Sequence, residues 1–372
     1  MRDGELPAQD GTREWRERAR EFPINEARRI VMRLSGPRPL IYWTDFLLSA
    51  LIGWGAFAYA VTHAWRWPDY PLAVLVAGFA LYRAVIFIHE LAHIKQTRMR
   101  AFRWAWNLLA GMPMLVPSFT YTRVHSDHHR PRIYGTAIDG EYRPFGAEPV
   151  WKIVLYPLES VFLPALFILR FVVLAPLGWL IPPLGRLVWA RFSSLTIDLS
   201  YRRPPPGKGD DPHWRIEEAM AFLFGTGVVL AMATGRLPWS FGVTWYLVAM
   251  LIFFVNSLRT LAAHAYRNPE DGAPMNRAEE FLDSVDIPGR TPLGALWAPV
   301  GLRFHATHHL FPSLPYHELP KAHRLLKAEL ADNRLYLAAS RRGLFDALRR
   351  LWRDARAARG RSHAGYREAQ KR

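Results

Sequence analysis

The chain has 372 residues, a formal net charge of +16 and no cysteine. The lack of thiols excludes disulfides, thiolate zinc sites, Cys-ligated iron–sulfur clusters and a Cys nucleophile, leaving His, Asp and Glu as metal ligands. Mean hydropathy is near zero, at -0.05, yet the apolar residues are bunched into long runs with the charge between them, as in a membrane protein.

In chain order, residues 1–38 are rich in Arg and Glu. Met1 to Phe22 has no apolar core and reads as no signal peptide. Glu14 to Arg33 reads as a polar surface helix broken at Pro23, with an interfacial helix as the alternative. Ile41 to His63 is a first span, bracketed by Trp43 and Trp65 as interface anchors. Leu72 to Ile88 is a second, running without a breaker into His89. Arg83 inside it is expected to face protein or snorkel. Trp104 to Val116 is too short to cross and reads as interfacial or re-entrant. Residues 130–150 are a loop with Pro, Gly and acidic groups. Residues 151–183 are apolar but interrupted by Pro157, Glu159, Pro164, Arg170 and Pro176, and read as amphipathic and interfacial. Arg202 to Pro212 is a linker. Ala219 to Thr234 and Trp239 to Leu258 are a third and a fourth span. Residues 267–292 read as a polar loop, and Leu319 to Ala358 as helices that do not span.

Residues 321–372 carry 15 Lys or Arg against 5 Asp or Glu. Beside membrane spans this excess indicates anionic lipid rather than nucleic acid, and a cytoplasmic location. The expected fold is all-α and integral to a membrane, with four spans in two hairpins and a cytosolic helical cap. The expected divisions are 1–38 as a cytosolic N-terminal helix, 39–325 as the membrane domain, and 326–372 as a basic cytosolic tail.

Three clusters hold eight of the 14 histidines. They are His89-Glu90-Leu91-Ala92-His93, His125-Ser126-Asp127-His128-His129 and His305-Ala306-Thr307-His308-His309. A lone His264 follows the fourth span. Spacings of three and four residues put each cluster's rings on one side of a helix. Four spans place all nine imidazoles on one side of the membrane, with both termini; a fifth crossing within 151–183 would separate them. Nine ligands exceed one ion and fit two. All-imidazole sites suit Zn, Cu, Fe or Ni, and open coordination positions favour an iron that binds dioxygen. Alone, His89 to His93 matches a zinc metalloprotease motif with Glu90 as base, but that reading leaves two further clusters unexplained. Single buried histidines would not account for two triplets of identical spacing. His63, His213 and His363 read as surface residues, and His317 and His323 as ordinary ones. Glu90, Asp127 and Asp283 are candidates for orienting the imidazoles, and Arg259 for fixing a neighbouring carboxylate.

Over about residues 40–325 the chain resembles the membrane fatty acid desaturase family. The resemblance rests on the three clusters, the spans between them, His264, and the run His308-His309-Leu310-Phe311-Pro312-Ser313-Leu314-Pro315. It implies two irons held at the cytosolic face by His89, His93, His125, His128, His129, His264, His305, His308 and His309. It also implies dioxygen as co-substrate and desaturation of a fatty acyl chain. A hydroxylase of the same family is the alternative, and an intramembrane zinc protease or a non-catalytic metal- or lipid-binding membrane protein a more distant one. No His-Pro-Gly-Gly haem motif is present, so electrons are expected from a separate ferredoxin, rubredoxin or cytochrome b5, for which the basic C-terminus offers a docking surface. One position departs from the family. Animal acyl-CoA desaturases place an Asn four residues before the isolated His, and here that residue is Thr260, with Asn256 one turn further back.

Overall fold

The structure, a computed structural model, describes residues 12–95, 97–268, 273–289 and 291–369. The outermost parts of both expected tails lie outside the described residues. In chain order the helices are α1 Thr12–Arg20, α2 Ile24–Val31, α3 Pro39–Thr62, α4 Asp69–Val85, α5 Phe87–His93, α6 Arg100–Trp106 and α7 Phe119–His128. Then come α8 Val150–Leu158, α9 Leu163–Ile168, α10 Ala175–Leu180, α11 Pro182–Phe192, α12 Trp214–Ala233 and α13 Trp239–Ala263. The last are α14 Arg277–Asp283, α15 Thr291–Trp297, α16 His305–Leu310, α17 Leu319–Glu329, α18 Arg334–Ala338 and α19 Leu344–Ala369. Among the described residues the only β structure is isolated bridges. The chain divides into two compact units, and the division falls within α7 and within α13.

The apolar unit comprises residues 38–126 and 158–256. Among the described residues five helical stretches are long and apolar enough to cross a membrane: Pro39–Thr62, Asp69–His93, Leu163–Leu180, Trp214–Ala233 and Trp239–Ala263. Four coincide with the expected spans. The fifth falls where an interfacial segment was expected. α3 opens on Pro39, whose fixed φ suits the first helical position. Its 24 residues extend about 36 Å at the α-helical rise, enough for the hydrocarbon core. Glycines let these helices pack closely: a Cβ on Gly53 would stand 2.6 Å from Leu81 Cγ, and one on Gly78 2.4 Å from Leu251 Cδ2. Hydrocarbon gives no hydrophobic drive between helices, so close van der Waals contact across small residues matters more there. Leu51, Leu72, Leu223 and Leu230 are exposed, as lipid-facing residues would be. Arg83 is paired with Asp45 of α3, Nε to Oδ1 and Nη2 to Oδ2 both at 2.6 Å. The fork geometry answers the cost of an arginine in a span.

After α6 the helix widens into a π-turn over Asn107–Gly111 and stops before α7. Glu217 of α12 accepts from the Phe119 amide (2.9 Å) and the Ser118 hydroxyl (2.9 Å). It thereby supplies a carboxylate to the start of α7, the helix that carries the second histidine cluster. Leu163–Leu180 is three pieces, α9, a π-turn over Leu169–Leu174 and α10. The chain then reverses at Ile181 into α11. Gly185 makes that reversal possible, since a Cβ there would lie 2.5 Å from the Gly178 carbonyl oxygen.

The histidine-rich unit comprises residues 1–37, 127–157 and 257–372. The N-terminal segment is not a solvated surface helix. Trp15, Ala19 and Phe22 of its first part and Ala27, Ile30 and Val31 of its second are buried, most of them in one core with Phe281, Leu310, Leu326 and Tyr336. Their spacing forms the apolar stripe of an amphipathic helix, which the abundance of Arg and Glu obscures. The supposed polar loop 267–292 also differs. Asn276 and Glu279 form a capping box that starts α14, and Glu279, Glu280, Asp283 and Asp286 are all buried.

Residues 283–287 then run extended and tie three places together. Val285 N donates to Ala263 O (2.8 Å), Ile287 N to Arg303 O (2.6 Å) and Asp286 N to Ala339 O (2.9 Å). The end of α13, the approach to α16 and the chain before α19 are therefore all anchored to one strand-like segment. That anchoring fixes where His264 and His305 emerge.

Candidate metal centre

In the histidine-rich unit, His128, His264, His305 and His309 form one buried group whose ligand atoms all lie within 4.8 Å of one another. His305 Nε2 is 3.1 Å from His264 Nε2 and 3.1 Å from His309 Nε2. Nitrogens about 2.1 Å from a shared ion, at right angles, stand about 3 Å apart. The donor set fits a cation. Burial and the neighbouring imidazoles hold His309 well below the ordinary histidine range; burial, with His128 and Arg259, does the same for His264. Both rings are therefore neutral near pH 7, with lone pairs to donate.

The outward nitrogens explain why the Nε2 atoms face one another. His128 Nδ1 lies 2.8 Å from Asp139 Oδ2. Asp139 is itself held by the Gly135 amide (2.9 Å) and the Glu141 amide (3.0 Å). Gly135 has φ +70°, a conformation that costs glycine little. Burial pushes the His128 pKa down, but Asp139 outweighs it and the net shift is upward. The Asp139 hydrogen bond keeps a proton on Nδ1, so Nε2 is the nitrogen that a metal would take, in competition with a second proton. At His264 the chain is longer. Its Nδ1 meets the Tyr134 hydroxyl at 2.9 Å, and Tyr134 donates to Asp283 Oδ2 at 3.2 Å. A tyrosine has one hydroxyl proton. When Tyr134 gives it to Asp283, it accepts from His264 Nδ1–H, which fixes the same tautomer.

His129 and His308, in the same unit, approach with Nε2 atoms 3.1 Å apart. Arg277 of α14 donates to the main-chain carbonyls of His309 (3.0 Å) and His129 (3.4 Å), and Glu280 holds Arg277 at 2.7 Å. One side chain thus ties the second and third clusters together. Behind α16, Asp286 accepts from the Thr307 amide (3.0 Å) and hydroxyl (2.5 Å), and lies 3.1 Å from His323 Nδ1. His323, read from sequence as ordinary, therefore reaches the third cluster through Asp286.

In the apolar unit His89, His93 and His125 converge. His93 and His125 have Nε2 atoms 2.9 Å apart, and the His89 ring centroid is 5.0 Å from that of His93 and 4.5 Å from that of His125. Tyr121 OH meets His125 Nδ1 at 3.0 Å, one turn back on α7. Glu90 accepts from Tyr42 of α3 and lies 3.7 Å from His89 Nδ1.

Of the expected outer partners, Glu90 is beside His89 and Asp283 acts on His264 through Tyr134. Asp127 pairs with Arg130 at 2.7 Å. Arg259 is buried, and its positive charge helps to hold the His264 pKa down. Thr260 is buried and its carbonyl accepts from Tyr266 OH (2.8 Å). Sequence reasoning missed Asp139, Tyr134, Asp286 and Arg277. Asp139 had a signal, an acid near Gly135 and Gly140 in the loop after the second cluster. The others had none that spacing could reveal.

The fatty acid desaturase family model matches residues 65–341. A protein of Caulobacter vibrioides (strain NA1000 / CB15N) named ceramide hydroxylase is 39% identical over 326 residues, which cover 87% of this chain and 91% of that protein. The chain belongs to the fatty acid desaturase family and is an oxygen-using oxidoreductase of lipid metabolism.

Proposed function

We propose that this enzyme uses dioxygen to hydroxylate an unactivated carbon in a ceramide-like membrane lipid. The observation that carries the reading is the identity with the ceramide hydroxylase, which runs through nearly the whole of both chains. One iron is assigned to His128, His264, His305 and His309. The remaining five, His89, His93, His125, His129 and His308, are left for the other, because nine imidazoles exceed one ion and fit two. The irons, when bound, supply the reductive activation of dioxygen that breaks a C–H bond. The chain's own part is to hold the Nδ1 atoms of His128, His264 and His125 through Asp139, Tyr134 and Tyr121, which leaves their Nε2 atoms to face a metal, and to keep water out by burial.

Hydroxylation consumes one dioxygen, two electrons and two protons, and releases one water. The two electrons come from a separate carrier, a ferredoxin, rubredoxin or cytochrome b5-like protein. The basic C-terminal region is its proposed docking surface. Desaturation of a fatty acyl chain is the second reading, favoured by the family itself. It consumes the same dioxygen and electrons and releases two waters.

We also assign four crossings, with both termini and the metal centre cytoplasmic. Support comes from Glu218, near the start of α12. It accepts from Arg170 and from Trp179 Nε1 (2.8 Å), residues about 13 Å apart along a helix. One carboxylate thus anchors both points of the stretch near the start of α12, and Val172 lies against Gly225 midway along it. Leu163–Leu180 is read as re-entrant because it is broken into three pieces and the chain reverses at Ile181.

The test is expression in a host without lipid oxygenases, with electron carrier supplied, followed by lipid mass spectrometry. Gain of one oxygen in ceramide supports hydroxylation. Loss of two hydrogens from an acyl chain supports the second reading. Product formed without dioxygen overturns both.

A further inference from the structure

We infer that a cavity beside the first histidine helix seats the uncharged, hydroxyl- or amide-bearing headgroup of the lipid that is oxidised. The inference rests on the functional reading above and deepens it. The cavity, of about 240 Å³, is lined by Thr97, Arg100, Arg103, Trp104, Asp211 and His213, among others. All of these belong to the apolar unit. It lies where two candidate spans end. Asp69–His93 finishes four residues before Thr97, and Trp214–Ala233 begins directly after His213. Span ends are the level at which headgroups and Trp side chains sit.

The floor is Arg103 and Asp211, 7% and 1% exposed. Arg103 is fixed by its Nη2, which donates to Leu91 O (2.8 Å) and Ile94 O (3.4 Å). Asp211 is fixed by its Oδ1, which accepts from the His213 amide (2.8 Å). Their remaining atoms form an ion pair but no hydrogen bond: Arg103 Nη1 and Asp211 Oδ2 are 3.6 Å apart. Among the described residues Arg103 Nε, Arg103 Nη1 and Asp211 Oδ2 have no hydrogen-bond partner. Buried donors and acceptors are rarely left so unless something else meets them.

The pair also selects its occupant. A hydroxyl or an amide accepts from a guanidinium and donates to a carboxylate at once. A phosphate would satisfy Arg103 but set its own negative charge against Asp211. Trp104, its ring centroid 5.7 Å from that of His213, gives the cavity a flat apolar wall. The carbonyls that Arg103 grips flank His93. A head seated here holds the beginning of its chain beside the helix that carries His89 and His93.

The experiment uses the full-length, iron-loaded enzyme in lipid nanodiscs. Binding of a short-chain ceramide and of a short-chain phosphatidic acid is measured by calorimetry, alongside KM, kcat and iron content. Asp211→Asn keeps an oxygen for the His213 amide but loses the anionic acceptor. It should weaken ceramide binding and raise KM by about tenfold, leave kcat and iron content unchanged, and bind phosphatidic acid more tightly than the parent does. Thr97→Trp, which fills the cavity without touching the floor, should lose ceramide binding and retain iron. Parental affinity for both probes in both variants overturns the inference, as does a parental preference for phosphatidic acid. If ceramide is oxidised with unchanged KM by Asp211→Asn, the inference falls and the functional reading stands. If another uncharged-head lipid proves to be the substrate and Asp211→Asn raises its KM, the ceramide reading falls and the inference stands.

Discussion

The two units solve opposite problems. In the apolar unit the side chains want the solvent they face, and the difficulty is to bring helices together without a hydrophobic drive. Gly53 against Leu81 and Gly78 against Leu251 meet it by close approach. In the histidine-rich unit imidazoles and carboxylates are taken out of water, and the difficulty is to satisfy them. Asp139, Tyr134, Asp283 and Asp286 meet it by hydrogen bonding. A membrane helix therefore tolerates many exchanges of one apolar residue for another, whereas a buried ring depends on one particular partner.

The largest test of that contrast is to remove a ring. His264→Ala should abolish product, at least 100-fold on the scale of lost metal sites, and release iron from purified enzyme as measured by elemental analysis. Retained iron with full activity would sink the assignment of His264.

Next comes the outer partner. Asp139→Ala leaves His128 in place but frees its Nδ1. Loss of such partners costs about 10- to 100-fold in metal affinity or activity. Titration of the apo-enzyme with ferrous iron reads this directly, and parental affinity would show that Asp139 serves the loop alone. Tyr134→Phe removes one neutral hydroxyl from the longer relay at His264. It should cost about tenfold or less, the size of one hydrogen bond.

In the apolar unit the effect should fall on stability, not chemistry. Gly53→Val overfills the contact with Leu81 and should cost about 1–3 kcal/mol. The readout is a lower melting temperature in detergent, with rate per bound iron unchanged. A fall in that rate at constant iron would break the separation drawn between the two units.

The same contrast explains what was legible in the sequence. The four expected spans match helices because a run of apolar residues states its own environment. The grouping of eight imidazoles into three clusters was legible for a related reason, since cluster spacing is local to one helix face. What failed was long-range or masked. The stripe Trp15, Ala19, Phe22 was hidden by surrounding charge. Glu280 and Asp286 looked like solvated acids in a polar loop, because only the fold reveals that Arg277 and Thr307 meet them. Leu163–Leu180 is long and apolar enough for a span, and its re-entrant reading rests on the interruptions at Pro164, Arg170 and Pro176 and on the reversal at Ile181.

Asp127 gives the smallest predicted effect and isolates this point. It sits between His125 and His128, so proximity in sequence made it a candidate for orienting them. Successive positions on a helix point about 100° apart, so a neighbour in sequence is turned away from the ring beside it. Asp127 accordingly pairs with Arg130, whose side chain is 52% exposed, and Asp139, eleven residues from His128, holds its Nδ1. The pair joins a buried Asp127 to a half-exposed Arg130, and an ion pair screened by solvent on one side contributes about 1 kcal/mol or less. Asp127→Asn should therefore change iron affinity and turnover by less than about threefold, since 1.4 kcal/mol is needed for tenfold. If Asp127→Asn instead matched Asp139→Ala, position along the chain would have been the better guide, and the relay through Asp139 would lose its claim to orient His128.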